Sequence, residues 1–136
     1  MACVEELLRT ESDGGLSFGN YLLGEKKKVE NFKSGNDLYK VKTFSELTKL
    51  EKNDMFLYES DPGTSVFDLK EEADGVSFAV CGKEDAQITV GLSEDTEYSV
   101  FIDGTDTGKV KTNLSGKLSI SVELDEDKKV EVKIVK

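Results

Sequence analysis

Three acidic turns hold the densest chemistry in this 136-residue chain: CGKEDA at 81–86, DGTDTG at 103–108 and LDEDKK at 124–129. A hard cation such as calcium takes about six to eight oxygen ligands. If successive strands run antiparallel, alternate turns fall at the same end of a sheet. These three would then gather Glu84, Asp85, Asp103, Asp106, Asp125, Glu126 and Asp127. Asp85, Asp103, Asp106, Asp125 and Asp127 are the candidate calcium ligands. DGTDTG lacks the residue order of an EF-hand loop. Its two Asp and two Gly also suit a hairpin turn, since both types tolerate the backbone conformations a turn requires. Solvated turn carboxylates are therefore the plainer reading.

Other chemistry is limited by what is missing. The chain has no histidine, which removes the commonest general base and transition-metal ligand and any Ser-His-Asp arrangement within one chain. It has no GxGxxG or Walker loop. Two carboxylates across a cleft would suffice for glycoside hydrolysis, but among 28 acidic residues the sequence selects no pair. Catalytic residues are therefore left unassigned. Of the four Tyr and seven Phe, Phe101 is the candidate ligand contact. Alternation sets it with Ser99 and Asp103, opposite Tyr98, Val100 and Ile102. Either the ring is open to a ligand or partner, or that strand is covered on both faces by the N-terminal half; the second is the plainer reading.

The formal net charge is −10. Nucleic-acid binding rests on Lys and Arg neutralising phosphates, and anionic membranes attract the same residues, so neither is an expected partner. Residues 1–62 carry 9 basic and 12 acidic side chains, and residues 63–136 carry 9 and 16, so the second half is the more acidic. Cys3 and Cys81 lack any framework spacing and read as free thiols. MACVEELLRT has neither a basic segment nor an apolar run of signal-peptide type, so the expected compartment is the cytoplasm.

These residues must be positioned by strands. Leu118, Ile120, Val122 and Leu124 alternate with Ser119, Ser121 and Glu123; Val130, Val132 and Ile134 alternate with Glu131 and Lys133. TSVFDL, GVSFAV, AQITVGL, EYSVFID and GKVKTN also fit strands, separated by polar turns rich in Gly, Asp and Asn. The fold class expected is all-β, with an antiparallel β-sandwich or small barrel over 62–136 and a smaller, mostly-β N-terminal subdomain over 1–61. ESDPGTS marks the boundary, as a tight turn with Pro62 at its first central position and Gly63 at its second. GLSFGNYLL, DLYKVKTF and DMFLYES read as strands, and EKKKVE as a solvated hairpin or edge strand. Residues 44–52 are ambiguous. Thr43 with Glu46 forms a capping-box pattern for a short helix, yet Thr48-Lys49-Leu50 also continues a strand. Strand, or a single helical turn, is preferred.

The segment YSVFIDGTDTGKVKTNLSGKLSISVEL, with KVEVKIVK after it, resembles the all-β ends of many bacterial carbohydrate-active proteins. LLRTESDGGLSFGNYLL, DLYKVKTF and that same segment together resemble a group of short bacterial all-β proteins, some labelled endosialidase. That label implies sialic-acid hydrolysis, which uses clustered arginines to grip the substrate carboxylate. This chain departs from it, with Arg9 as its only arginine. The resemblance thus implies a shared accessory β domain and carries over no catalytic residue. The function expected is non-enzymatic binding of a glycan or protein partner, with self-association also open. The alternative is a glycan-active hydrolase, or its accessory subunit, working through Asp and Glu carboxylates.

Overall fold

A computed structural model describes residues 3–126 and 128–136. Among these, the first half forms β1 (Leu8–Thr10), β2 (Leu16–Phe18), β3 (Lys27–Ser34), β4 (Asp37–Phe44), β5 (Leu47–Lys52) and β6 (Met55–Asp61). The second half forms β7 (Thr64–Glu72), β8 (Gly75–Gly82), β9 (Ala86–Gly91), β10 (Glu97–Ile102), β11 (Thr105–Lys111), β12 (Lys117–Val122) and β13 (Val130–Val135). Two antiparallel sheets pack face to face. One has seven strands in the order β1-β2-β7-β8-β13-β10-β11, the other six in the order β12-β9-β6-β5-β4-β3. Neither closes on itself, so the architecture is a β-sandwich and not a barrel. No helix is long and apolar enough to cross a membrane among the described residues.

The alternating segments fold as their pattern dictates. Leu118 and Val122 are buried while Ser119 and Ser121 are exposed, and Val130, Val132 and Ile134 all turn inward. Residues 47–52 are strand, with Phe44 opposite Leu47 across a short turn. Thr43 caps no helix, because its side chain is needed inside the sandwich. The Asp61–Pro62 bond is cis. Strands on either side of this turn share both sheets: β2 pairs β7, and β6 pairs β9.

The core is centred on Tyr58. Its ring meets Phe18 and Phe78 edge-on, at centroid separations of 5.2 and 5.6 Å. Its hydroxyl would be costly to bury alone, and it is satisfied by Thr64 Oγ1 at 2.8 Å. Thr64 Oγ1 also bonds Ser60 Oγ (2.8 Å), Thr48 Oγ1 donates to Thr64 O (2.7 Å), and Thr43 and Thr48 hydroxyls lie 2.8 Å apart. This buried hydroxyl chain ties β4, β5 and β6 to β7, stitching the sheets together where the chain crosses between them. Desolvation pushes the Tyr58 hydroxyl well above its ordinary pKa.

Candidate functional site

The calcium reading places five aspartates at one end. The turns there do meet, but their carboxylates are used one at a time. Asp85 Oδ1 accepts the Leu124 N–H (3.1 Å), Asp103 Oδ1 the Glu131 N–H (2.9 Å) and Asp106 Oδ1 the Gly108 N–H (2.8 Å). Asp103 Oδ2 faces Lys128 Nζ at 3.6 Å. Asp125 joins Lys128 in an isolated bridge, and Asp127 lies outside the described residues. No group of three or more acidic or cysteine side chains is close enough to hold an ion among the described residues. The carboxylates pin turn backbones, as Asp side chains commonly do. DGTDTG itself is the β10–β11 hairpin, with Asp103 and Gly104 both at positive φ. Cys3 and Cys81 are free thiols. Cys81 is buried and donates to Lys128 O at 3.3 Å, and burial pushes its pKa up.

Phe101 is half-buried on the solvent face of the seven-stranded sheet. It lines a shallow depression of about 370 Å³ with Gly104, Glu131, Lys133 and Val135. Its flank is thus made by β13 and the β10–β11 turn, where the plainer sequence reading expected a cover from the N-terminal half. A second depression, about 290 Å³, adjoins it through the shared Glu131 and Lys133 and reaches Phe67, Asp68, Lys70, Ser77 and Ala79. Together they form one trough across β7, β8, β13 and β10.

Register explains the trough. Phe67 lies opposite Ala79, and Ala79 opposite Glu131; Lys133 lies between Ser77 and Phe101. Small side chains at 77 and 79 leave the middle low, with an aromatic ring on either side. From three interstrand steps and two residues along the strand, the rings stand roughly 16 Å apart. Lys129 Nζ lies 4.1 Å over the Phe67 ring, a cation–π contact. Phe101 has no such cover among the described residues.

At the Phe67 end the trough runs into an ionic cluster. A bulge in β7 between Phe67 and Lys70 puts Asp68 at φ 56°, with Oδ2 toward Lys70 and Oδ1 buried without a hydrogen-bond partner among the described residues. Lys70 Nζ bridges Asp13 Oδ2 (2.7 Å) and Asp68 Oδ2 (3.5 Å), while Asp13 Oδ1 accepts the Gly15 N–H (3.1 Å). Lys70 foremost, then the Gly15 N–H, holds the Asp13 carboxyl at about 2. Burial, then Asp13 beside it, pushes Asp68 the other way. Next to them Ser17 Oγ donates to Glu11 Oε2 and accepts the Asp68 N–H at 3.1 Å. The Ser17 hydroxyl, then Arg9, lowers the Glu11 pKa. Arg9 is engaged by Glu11 (3.0 Å) and Glu6 (3.3 Å).

A cavity of about 570 Å³ opens between the sheets at one end and is lined in part by Lys52, Phe56, Glu71, Tyr98 and Lys117. Its polar groups are turned on each other. Lys52 Nζ lies 2.9 Å from Glu71 Oε1 and 3.8 Å from Asp37 Oδ2, and Tyr98 Oη accepts the Ser93 N–H at 3.2 Å.

Sequence reasoning singled out Phe101 but not Phe67, Asp68, Lys70, Glu131 and Lys133, which line the same trough. One signal was present: Val66 and Leu69 are three apart in SVFDLK, a break in the period of two that marks a bulge. No protein-family model, curated protein or solved structure matches this chain.

Proposed function

We propose that the protein is a non-catalytic binding module that takes an extended neutral glycan along the outer face of its seven-stranded sheet. The observation that carries this reading is the pair of phenylalanine rings, Phe67 and Phe101, set across one trough with Ser77, Glu131 and Lys133 between them. Flat apolar rings suit the C–H faces of sugar rings, and the carboxylates and ammonium groups beside them suit hydroxyls. Cores of protein–protein interfaces are depleted of charge, whereas Asp68, Lys70, Glu131 and Lys133 lie within this trough. Small-molecule sites are deep and enclosing; a shallow open trough fits a polymer lying across it. The net charge of −10 disfavours a polyanion. The resemblance of the C-terminal segment to accessory domains of carbohydrate-active proteins points the same way.

One observation favours hydrolysis as a second reading: Asp13 and Asp68 are pushed in opposite directions at the end of the trough, as an acid and a base would be. Both, however, lie on one Lys70 ammonium. Glycosidase carboxylates instead face each other across the bond they cleave.

Titration of the protein with soluble cello-, xylo- and manno-oligosaccharides, followed by amide shift changes and a reducing-sugar assay, tests both. Binding without turnover, with shifts centred on Phe101, Gly104 and 131–135, is the expected result. Release of new reducing ends that Asp68→Asn abolishes would move the assignment to hydrolysis. No shift with any of these sugars overturns the glycan reading.

A further inference from the structure

Each sheet ends in two edge strands, and three of the four are blunted in ways that discourage edge pairing. β1 is three residues long. β3 carries Lys27, Lys28, Glu30 and Lys33 and is bulged, with Asn31 at φ 56°. β11 carries Asp106, Lys109 and Lys111, and its pairing with β10 is interrupted beside Gly108 at φ 114°. The remaining edge, β12, has an unbroken register with β9 from Lys117 to Val122 and one charged residue.

The Leu92 N–H donates to Gly116 O at 2.7 Å. By ladder alternation, Leu118, Ile120 and Val122 then direct their backbone groups to β9. Lys117, Ser119, Ser121 and Glu123 direct theirs outward. Lys117 is met by the entering turn: its N–H donates to Asn113 Oδ1 (3.0 Å) and its carbonyl accepts the Asn113 N–H (3.1 Å). Among the described residues no backbone group meets Ser119, Ser121 and Glu123, which lie at the open edge.

Residues 117–123 read Lys-Leu-Ser-Ile-Ser-Val-Glu. Folded back on a second copy about Ile120, this segment matches itself. Ile meets Ile, Ser meets Ser, Leu meets Val, and Lys117 meets Glu123 of opposite charge. We infer that β12 pairs antiparallel with β12 of a second copy across a two-fold axis at Ile120, joining two six-stranded sheets into one. Ser119 and the partner copy's Ser121 exchange backbone hydrogen bonds, as do Ser121 and the partner copy's Ser119. The Asn113 turn limits the pairing to that length. Ile120 is half-buried where Leu118 and Val122 are covered, and its twin covers it at the axis. Leu114, 81 % exposed and the most open of the large hydrophobic side chains among the described residues, sits in the turn beside this edge. The contact is isologous, so it closes at two copies. It leaves the trough of each seven-stranded sheet accessible, so the two troughs can engage one polymer together.

Sedimentation equilibrium of the whole chain, with amide hydrogen exchange at low and high concentration, tests this. The expected result is a monomer–dimer equilibrium in which Ser119 and Ser121 amides gain protection with concentration, while Leu118, Ile120 and Val122 are protected throughout. Ser121→Lys, an exposed change, weakens dimerisation about tenfold or more. Lys117→Glu weakens it too, and adding Glu123→Lys restores it. A chain that stays monomeric at its highest soluble concentration overturns the inference. So does a dimer in which the Ser119 and Ser121 amides exchange as they do in the monomer.

Discussion

The two sheets follow the same inward–outward alternation but offer water different surfaces. Across the six-stranded sheet Lys42, Lys49, Glu59, Thr89 and Ser119 stand in one row. These side chains are long or hydroxylated, and the Thr89 and Ser119 hydroxyls lie 2.7 Å apart. Phe44 and Phe56 on that side have Lys26 and Lys117 over their rings, at 5.7 and 4.5 Å. Across the seven-stranded sheet the row runs Phe67, Ala79, Glu131, with Ser77, Lys133 and Phe101 beside it. Short side chains between two rings leave a trough. A sheet face gains a trough when small residues stand between large ones; exposure alone does not make one.

Both faces rest on one interior, so the largest effect comes from breaking that. Thr64→Val leaves the buried Tyr58 hydroxyl and Ser60 without their shared partner. We expect a loss of about 2–4 kcal/mol in urea unfolding, with the folded fraction still binding through its trough. Phe101→Ala separates the faces directly. Glycan affinity should fall about tenfold or more, while Phe44→Ala on the opposite sheet leaves affinity unchanged; isothermal titration checks both. Lys129→Ala uncovers the second ring, and affinity should rise about threefold.

The smallest effect concerns pH. The Asp68 carboxyl is raised by the fold, so its contribution to stability is present below its unfolded value and is lost as pH rises through the folded one. Asp68→Asn removes that loss and also suits positive φ. Its melting temperature should exceed wild type by about 2 °C at neutral pH, and the gain should vanish below about pH 4. Asp13 has the opposite sign: held at about 2, it contributes above its ordinary value and loses that contribution as pH falls through about 2. Melting scans of both chains from acid to neutral pH check this.

Half-buried strands were legible because their inner and outer residues differ in kind, as in β12 and β13. β5 was ambiguous because its core-facing side includes Thr48, a polar residue buried in the hydroxyl chain. Leu47 also imitates helical spacing with Leu50, although the two point to opposite faces of the sheet. Which strands pair across the Pro62 turn was not legible, since β2–β7 and β6–β9 are long-range pairings that leave no local pattern. Of the candidate site, alternation pointed only to Phe101. Phe67 and Asp68 were hidden by the bulge between them and Lys70, and Glu131 and Lys133 look like any solvated residues until register sets them beside a ring. The acidic turns were the loudest chemical signal, and most of it is backbone capping.

The trough of the seven-stranded sheet is the proposed binding face. The most direct test is to map amide shift changes during titration with a soluble neutral oligosaccharide. Changes concentrated on Phe101, Gly104, Glu131, Lys133 and Ser77, absent in Phe101→Ala, are the predicted result. Changes centred on Lys42, Lys49 and Thr89, or unaltered by Phe101→Ala, would contradict it.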